Sequence, residues 1–389
     1  MQRAAHLLFE MLRGDPVREA WKSRAVKEAL DLCLSCKGCK GECPVHVDMA
    51  TYKAEFMAKH YQGRLKPRSA YAFGWIDRWA HLASFAPGLV NFLTATPPFS
   101  DLAKALAGVH PKRRIQRFAA KTFRSGFAKR PRRNPEGRRI LLWPDTFNSH
   151  FHPASAQAAA DVLEAAGYDV AIPAKRLCCG RPLYEFGMLG LARRYFRDIM
   201  ETLGEDIAKG TPIVVLEPAC ASAFRDELVD LFFRDEVARR LSKQVVLLEE
   251  LLVRDDGWNP PKLDRDAIVH GHCHQQAILG MDAQRKALER AGIRCDIPDA
   301  GCCGMAGSFG FEKEKYDVSM ACAERVLLPA LREADAETLV VANGFSCREH
   351  VEQATGRRPL HLAEVLALAL RDRSSSARAP SGTPPATAA

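Results

Sequence analysis

The sequence predicts an α/β fold in which a helical N-terminal domain precedes two repeated units of parallel strands and crossover helices. Three observations predict this fold. Short apolar runs alternate with helical patterns over residues 140–370, the pattern occurs twice, and each copy carries a Cys-Cys-Gly tripeptide. The 389 residues, 47% of them hydrophobic, are enough for two to three domains and a large core. The composition excludes wholesale disorder, collagen and a coiled-coil rod.

The N-terminal region divides into two parts. Residues 1–62 have helical apolar spacing at 18–32 and again at 47–61, on either side of a cysteine run. Residues 63–139 contain an aromatic-rich stretch, which we expect to form short helices broken at Pro87-Gly88 and Pro97-Pro98. A basic connector, residues 111–139, completes this part.

The two repeats occupy residues 140–262 and 263–371. In the first copy we expect strands at 140–143, 168–172 and 212–216, with a helix at 154–166. In the second copy we expect strands at 267–270, 293–297 and 338–342, with helices at 275–291 and 313–331. The double cysteines lie 124 residues apart. The Ser/Pro-rich residues 372–389 predict a disordered tail.

The cysteines indicate metal or redox chemistry. The N-terminus lacks a signal peptide's long apolar segment, and no run of about 18 apolar residues predicts a membrane span, so we expect a cytoplasmic chain. Reducing compartments disfavour disulfides, and the chain has 13 cysteines, an odd number. Clustered thiols in such a chain are best interpreted as metal ligands or redox groups.

One cluster is the run Cys33, Cys36, Cys39 and Cys43, followed by Pro44. Its C-x2-C-x2-C-x3-C-P spacing is that of bacterial ferredoxins, so we expect a helical ferredoxin-type domain that holds a 4Fe-4S cluster. A structural zinc site normally takes two separated Cys/His pairs instead. The fourth ligand stays open, because Cys43 either closes this cluster or ligates the cluster of another run.

The charges beside this run are basic. Lys37 and Lys40 are expected to place positive charge beside the anionic cluster.

The repeats predict a second site. Ligands of an open parallel sheet gather at the carboxyl ends of its strands, where the cysteines of both copies are expected. The second copy supplies enough thiols for a complete metal site or second cluster, namely Cys273, Cys302, Cys303 and Cys347.

The first copy is degenerate because it lacks the leading cysteine. It offers only Cys178, Cys179 and Cys220. Counting from neighbouring elements places Thr146 or Asn148 where the missing cysteine would be, with His150 or His152 as possible substitutes. The copy is therefore either a second working site or one kept for packing.

Other polar and thiol residues have competing interpretations. Cys295 and Cys322 have apolar neighbours and favour core packing. His272 and His274 flank Cys273 and either ligate metal or orient a thiolate through a hydrogen bond. Near Cys220, three charged residues are either site residues or ordinary surface charges: Glu217, Arg225 and Asp226.

Together, the cysteine run and the paired repeats resemble a known group of proteins. They are similar to the iron–sulfur parts of glycolate oxidase, lactate-utilisation and anaerobic glycerol-3-phosphate dehydrogenase systems, and to the B subunit of heterodisulfide reductase. The strongest resemblance is to the C-terminal portion of bacterial FAD-linked D-2-hydroxyacid dehydrogenases of the D-2-hydroxyglutarate and D-lactate type. The segments that carry it are 31–52, 177–190, 216–227, 269–276, 300–311 and 340–348.

The resemblance implies an electron-transfer role. The chain begins at Met1 without the flavin domain and earlier cysteine run of such proteins, so we expect a separate subunit or a piece of a longer dehydrogenase. FAD would then lie on a partner or a missing N-terminal domain, and electrons would pass from it to a quinone or other carrier. The alternative is a stand-alone thiol/disulfide reductase of the heterodisulfide reductase type. No catalytic residue is assigned.

The basic connector leaves its partner open. It contains twelve of the chain's basic residues and one acid, Glu136, while the whole chain has a net charge of +9. Such a strip fits a solvated connector, a flavoprotein dock or the inner face of an anionic membrane. Nucleic acid is not favoured, because a charge run alone is weak evidence for it.

Overall fold

The computed structural model describes residues 20–255 and 257–376, and it confirms the α/β fold. The strands are β1 Arg139–Trp143, β2 Asp169–Ala171, β3 Ile213–Val215, β4 Val245–Leu247, β5 Arg265–His270, β6 Ile293–Asp296 and β7 Leu339–Ala342. A four-stranded sheet has the order β2-β1-β3-β4, and a three-stranded sheet has the order β6-β5-β7. All strand pairs in these sheets are parallel, with Leu142 opposite Val214 in the first sheet and Ile268 opposite Val340 in the second.

Helices surround the sheets. Before β1 they are Arg24–Asp31, Gly38–Glu42, Met49–His60, Arg68–Gly74, Ile76–Ala83, Pro87–Ala95, Phe99–Ala107 and Phe123–Phe127. Those of the first copy are Thr146–His150, Pro153–Ala165, Arg181–Glu185, Leu189–Thr202, Gly204–Lys209, Pro218–Ser222, Leu228–Leu231, Glu236–Gln244 and Leu248–Arg254. Those of the second copy are Asp282–Arg290, Tyr316–Glu324, Leu327–Glu333, Phe345–Thr355 and Leu362–Ser376. None of the helices in the described ranges is long and apolar enough to cross a bilayer.

Several local expectations need correction. The helix expected at 275–291 is a π-helical turn, Gln275–Leu279, and then Asp282–Arg290, because Gly280 adopts a φ of 86° that interrupts the helix. The helix expected at 313–331 is also interrupted, between Glu324 and Leu327. Strand β4 was not predicted at all. The final helix continues into the segment expected to be a tail, and the rest of that segment lies outside the described residues.

The two copies share one apolar core. Leu142 and Val214 from the first sheet belong to the same buried cluster as Val269 and Val341 from the second. The helices Pro153–Ala165 and Leu362–Ser376 contribute to this cluster and pack against each other. The carboxyl ends of both sets of strands are thereby fixed relative to each other.

The basic connector is tied to the fold by its own cations. Arg113 is buried and donates to the carbonyl of Gly310, at 2.7 Å, and to the hydroxyl of Ser319, at 2.8 Å. Arg130 pairs with Asp161 and Glu164, and Arg132 pairs with Asp169 at 2.6 Å. Much of the connector's positive charge therefore holds it against the two repeats.

Candidate metal centres and the cavity between them

The N-terminal cysteine run folds around a short helix. Cys33 follows helix Arg24–Asp31, Cys39 lies within helix Gly38–Glu42, and Cys43 ends that helix. Ser35 and Lys37 both adopt left-handed backbone conformations, with φ of 52° and 59°. These two turns, which cost free energy for residues other than glycine, curl the chain around Cys36.

Three of these thiols form one group. Burial, followed by the neighbouring Cys273, Cys33 and Cys39 thiols, raises the pKa of the Cys36 thiol to about 12. The backbone N–H of Met49 donates to Cys39 Sγ at 3.4 Å, which is the kind of hydrogen bond that stabilises a metal-bound thiolate.

Cys43 has different surroundings. Backbone N–H groups of Val47, Val45 and His46 lower the pKa of its thiol. This thiol therefore faces backbone amides, whereas the pKa of Cys36 is raised by burial and by the other thiols.

The second copy gathers its four cysteines at the carboxyl ends of β5, β6 and β7. Cys302 and Cys303 lie in the loop after β6, Cys347 lies in the first turn of helix Phe345–Thr355, and Cys273 lies three residues after β5. The Cys302 and Cys347 thiols donate to Cys303 and hold its pKa well below the ordinary value, while the pKa values of Cys302 and Cys347 are raised.

The loop around the double cysteine requires a glycine. Gly304 has a φ of 85°, and a Cβ there would lie 2.1 Å from the Ser319 carbonyl oxygen. The same residue donates its backbone N–H to Cys302 Sγ at 3.4 Å. The glycine of the Cys-Cys-Gly tripeptide thus allows the close approach that places both thiols in one turn.

This site also contains a histidine that the sequence analysis did not single out. His270, the last residue of β5, places a ring nitrogen within 4.8 Å of the Cys303 and Cys347 sulfurs, which are also that close to each other. Apart from the neighbouring Cys303 thiol, neither ring nitrogen of this buried histidine has a hydrogen-bond partner among the described residues. A buried imidazole beside two thiols fits a site built for a thiophilic metal or an iron–sulfur cluster. Its position three residues before Cys273 was the available signal.

The first copy brings together its three thiols. Cys179 Sγ and Cys220 Sγ lie 3.1 Å apart and are both buried, and Cys178 is adjacent. At the position of the missing cysteine, Asn148 is occupied by hydrogen bonds with Asp145 and Arg348, each at 2.9 Å.

The histidines proposed as substitutes in the first copy are placed differently. His152 Nε2 lies 2.9 Å from a Glu349 carboxylate oxygen. Burial, followed by nearby Arg176 and His81, lowers the pKa of His150 to about 4. His152 is thus paired to the second copy, and His150 is held neutral at physiological pH.

The two histidines that flank Cys273 hold its loop in place through hydrogen bonds. His274 donates from Nε2 to the Ser35 carbonyl at 2.9 Å, and its own backbone N–H donates to His272 Nδ1 at 3.1 Å. Burial lowers the pKa of His272 to about 4. These contacts connect the loop of Cys273 to the N-terminal cysteine run.

A buried network of ion pairs connects the N-terminal cysteine run to the first copy. The Lys37 ammonium lies 3.0 Å from Asp48 and 3.1 Å from Glu227, and it also pairs with Asp226. Burial lowers the pKa of Lys37, but the Glu227, Asp226 and Asp48 carboxylates outweigh it and hold that pKa above its usual value. Lys37 and Lys40, which we expect to place positive charge beside the cluster, have ammonium groups that pair with carboxylates.

Of the charged residues near Cys220, each has a structural partner. Arg225 binds Glu250 and the Val245 carbonyl, and Asp226 belongs to the Lys37 network. Glu217 accepts the backbone N–H of Phe345 at 2.7 Å. Burial, followed by Asp145, raises the pKa of Glu217 to about 7.

The remaining cysteines lie outside these groups. Cys295 is in β6, partly buried against the shared core, and Cys322 is in helix Tyr316–Glu324. Cys295 provides a matched control for the cysteines of the sites, whereas Cys322 lies close enough to Cys303 to be influenced by its charge.

One cavity of about 180 Å³ lies between the two copies and the N-terminal run. Thiol-bearing residues from both copies line it, namely Cys178, Cys179, Cys220 and Cys273. Much of the rest of its wall is aromatic, from Phe73, Phe118, Phe147, Phe151, Phe311 and Phe345. The arrangement can hold an apolar molecule beside several sulfur ligands.

Both repeats are similar to a known cysteine-rich domain. The model of the cysteine-rich domain CCG matches residues 146–225 and 269–351. This similarity confirms the Cys-Cys-Gly resemblance.

The chain is also similar in sequence to parts of three known proteins. The D-2-hydroxyglutarate dehydrogenase of Pantoea ananatis is 24% identical over 88% of this chain and 34% of its own length. The C subunit of the anaerobic glycerol-3-phosphate dehydrogenase of Escherichia coli is 29% identical over 74% of this chain and 73% of that protein. The lactate utilization protein A of Bacillus licheniformis is 27% identical over 58% of this chain and 96% of that protein. The chain thus spans about a third of the D-2-hydroxyglutarate dehydrogenases that it matches.

Proposed function

We propose that this chain is the iron–sulfur electron-transfer component of an FAD-linked 2-hydroxyacid dehydrogenase, which passes electrons from a flavin to a quinone or another carrier. The flavin would belong to a partner protein or to a further domain. This role is supported by the relatives, which include a dehydrogenase and one component of a multisubunit dehydrogenase.

The single observation that carries the proposal is the adjacency of the two cysteine groups. Cys273 lies close enough to Cys36 to contribute to the raised pKa of the Cys36 thiol. The backbones are also in contact, since a Cβ added at Gly41 would lie 3.0 Å from the Ala277 carbonyl oxygen. Proximity of this kind favours electron transfer between two centres and therefore supports the proposal.

The residues fit iron and sulfide. Cys33, Cys36 and Cys39, with Cys43 as the fourth residue of the run, would hold a 4Fe-4S cluster, and Cys273, Cys302, Cys303 and Cys347 would hold a second cluster or metal. When bound, such clusters accept and release single electrons. The thiols of Cys178, Cys179 and Cys220 could hold a third centre.

The fourth ligand of this cluster has two candidate sources. Backbone N–H groups lower the pKa of the Cys43 thiol, which suits a metal-bound thiolate in either case. Cys43 would either close the cluster of Cys33, Cys36 and Cys39 or ligate the cluster of a cysteine run on the flavin-bearing partner.

Metal analysis tests the cluster assignment. Protein prepared without oxygen should contain iron and acid-labile sulfide, at least about three irons per chain, and should show low-temperature EPR signals after reduction. Cys36→Ser and Cys303→Ser should each lower the iron content, whereas Cys295→Ser should not. A colourless, zinc-loaded or metal-free protein, or equal iron in all variants, would contradict the proposal.

The partner is tested by electron flow. A flavoprotein encoded beside this chain should bleach its visible absorbance when a 2-hydroxyacid is added, and only when both proteins are present. Bleaching by the 2-hydroxyacid without the flavoprotein, or none with it, would contradict the partner assignment.

A second candidate function is thiol/disulfide reduction. It is favoured by the 3.1 Å separation of Cys179 Sγ and Cys220 Sγ at the cavity wall. The isolated chain with an artificial electron donor should then reduce a disulfide substrate, and Cys179→Ser should abolish the activity while Cys322→Ser retains it. Inertness toward disulfides would exclude this candidate.

A further inference from the structure

Three consecutive helices, Ile76–Ala83, Pro87–Ala95 and Phe99–Ala107, expose an unusual amount of apolar side chain. Helix Pro87–Ala95 has the sequence PGLVNFLTA and contains no buried residue. Phe85 is 76% exposed and Leu89 is 60% exposed. Large apolar residues on or beside all three helices are exposed together, namely Leu82, Phe85, Leu89, Phe92, Phe99 and Leu102. Two of them are in contact across neighbouring helices, since the ring centroids of Phe92 and Phe99 lie 6.1 Å apart. Exposed apolar surface of this extent is typical of an interaction site.

Positive charge borders this patch. Asn91 of helix Pro87–Ala95 exchanges two hydrogen bonds of 2.8 Å with the backbone of Phe118, which holds the basic connector beside the helix. Arg117 and Lys121, one on each side of that contact, are exposed. Residues 78–135 contain twelve Lys and Arg residues and a single acid, Asp101.

We propose that these three helices and the connector beside them form the face by which the protein docks onto an anionic lipid bilayer. Exposed aromatic and aliphatic side chains flanked by lysine and arginine are the composition of segments that lie in the membrane interface. The apolar residues would enter the headgroup and acyl boundary, and the cations would bind the anionic headgroups.

A second copy of this chain fits the face less well. A symmetric contact through it would place the cations of one connector against those of the other, which costs free energy. An anionic lipid surface provides the opposite charge and an apolar interior at the same time.

The location also suits the proposed function, on which this one point rests. Ile76 and Phe118, from the docking region, line the cavity whose wall carries thiols of both copies. Docking would therefore bring the cavity next to the bilayer, where lipid-soluble carriers are dissolved.

Vesicle flotation of the full chain with its cofactors tests the proposal. The protein should float with phosphatidylcholine vesicles that contain roughly 30 mol% phosphatidylglycerol, and less with phosphatidylcholine alone or at high salt. The triple variant Phe85→Glu/Leu89→Glu/Phe92→Glu should bind at least about tenfold more weakly. Phe233→Glu, at a residue 63% exposed elsewhere, should bind like the unchanged chain.

A separate pair of variants tests the contribution of positive charge to vesicle binding. Arg117→Glu/Lys121→Glu should weaken binding about tenfold, and Lys209→Glu/Lys243→Glu should leave it unchanged. All of these residues are exposed, so circular dichroism and iron content should stay the same. The proposal is overturned if anionic vesicles do not retain the protein or if both docking variants bind normally. A dimer in solution that only the triple variant dissociates would assign the face to a second copy instead.

Discussion

The Lys37 ammonium and the Glu227 carboxylate lie 3.1 Å apart in the interior, although 190 positions separate them along the chain. Lys37 follows Cys36 directly, and Glu227 ends the π-helical turn Ala223–Glu227 that begins three residues after Cys220. Arg181, next to Gly180 of the first Cys-Cys-Gly tripeptide, also pairs with Glu227. A single network of charges thus fixes the N-terminal cysteine run against the first repeat.

Breaking this network should destabilise the protein strongly. Lys37→Met removes the cation that the buried Asp226, Glu227 and Asp48 carboxylates share, which should lower the free energy of unfolding by about 3–5 kcal/mol. Lys209→Met removes only an exposed pair with Glu205 and should cost less than about 1 kcal/mol. Urea unfolding measures both, and equal effects would show that the Lys37 network contributes little.

Replacing His270 should weaken metal retention without lowering the stability of the metal-free protein. Apart from the Cys303 thiol, its ring has no hydrogen-bond partner in the described part of the chain, so His270→Leu should leave the metal-free protein within about 1 kcal/mol of its original stability. The same variant should lose iron roughly tenfold more readily to a chelator. His361→Leu is the control, because His361 Nε2 bonds the Leu216 carbonyl at 3.1 Å and its loss should destabilise the metal-free protein by about 1–3 kcal/mol. Unchanged iron retention in His270→Leu would exclude a metal role.

Glu249 should make stability depend on pH. Its carboxylate accepts hydrogen bonds from Gln275, at 2.9 Å, and from Asn343, at 3.2 Å, but burial raises its pKa to about 7 from the ordinary 4.5. Between these two pH values the native state keeps a proton that the unfolded chain has lost, so stability falls as the pH rises, and the deficit is complete above pH 7.

The variant Glu249→Gln removes this titration. It should gain about 3 kcal/mol relative to the unchanged chain at about pH 8 and nothing at about pH 4.5. Glu205→Gln, at an exposed carboxylate, should not change the pH profile. Denaturant unfolding across this pH range measures the difference, and parallel curves for Glu249→Gln and the unchanged chain would contradict the expectation.

Cluster assembly should release protons. The raised pKa of Cys36, about 12, keeps this thiol protonated at neutral pH without metal, whereas ligation requires the thiolate. Reconstitution followed in a pH-stat should therefore release about one proton fewer for Cys36→Ser, and iron retention should weaken as the pH falls. Cys295→Ser should release as many protons as the unchanged chain. Equal release by Cys36→Ser would show that Cys36 is not a ligand.

Residues with strong local signals were predictable. The strands that precede Cys178, Cys220, Cys273 and Cys347 could be located because each is a short apolar run bounded by turn residues, and parallel pairing then places their carboxyl ends together. Strand β4 could not be located. Its three residues, Val245–Leu247, run directly into the apolar helix Leu248–Arg254, and only pairing with β3 distinguishes strand from helix there.

Contacts between distant residues were not predictable. Nothing in the sequence around Lys37 indicates that Asp226 and Glu227 neutralise it, because ion pairing depends on tertiary packing and not on a local pattern. His270 was missed because a histidine at a strand end is usually a core residue. The sequence does not distinguish the exposed apolar helices from ordinary short helices, since periodicity does not reveal which faces remain uncovered.

The packing of helix Leu362–Ser376 on helix Pro153–Ala165 has a consequence for synthesis in the cell. The first repeat leaves the ribosome with part of its apolar interior uncovered, and the segment that covers it is translated some two hundred residues later. The nascent chain must therefore be protected from aggregation until helix Leu362–Ser376 has been translated.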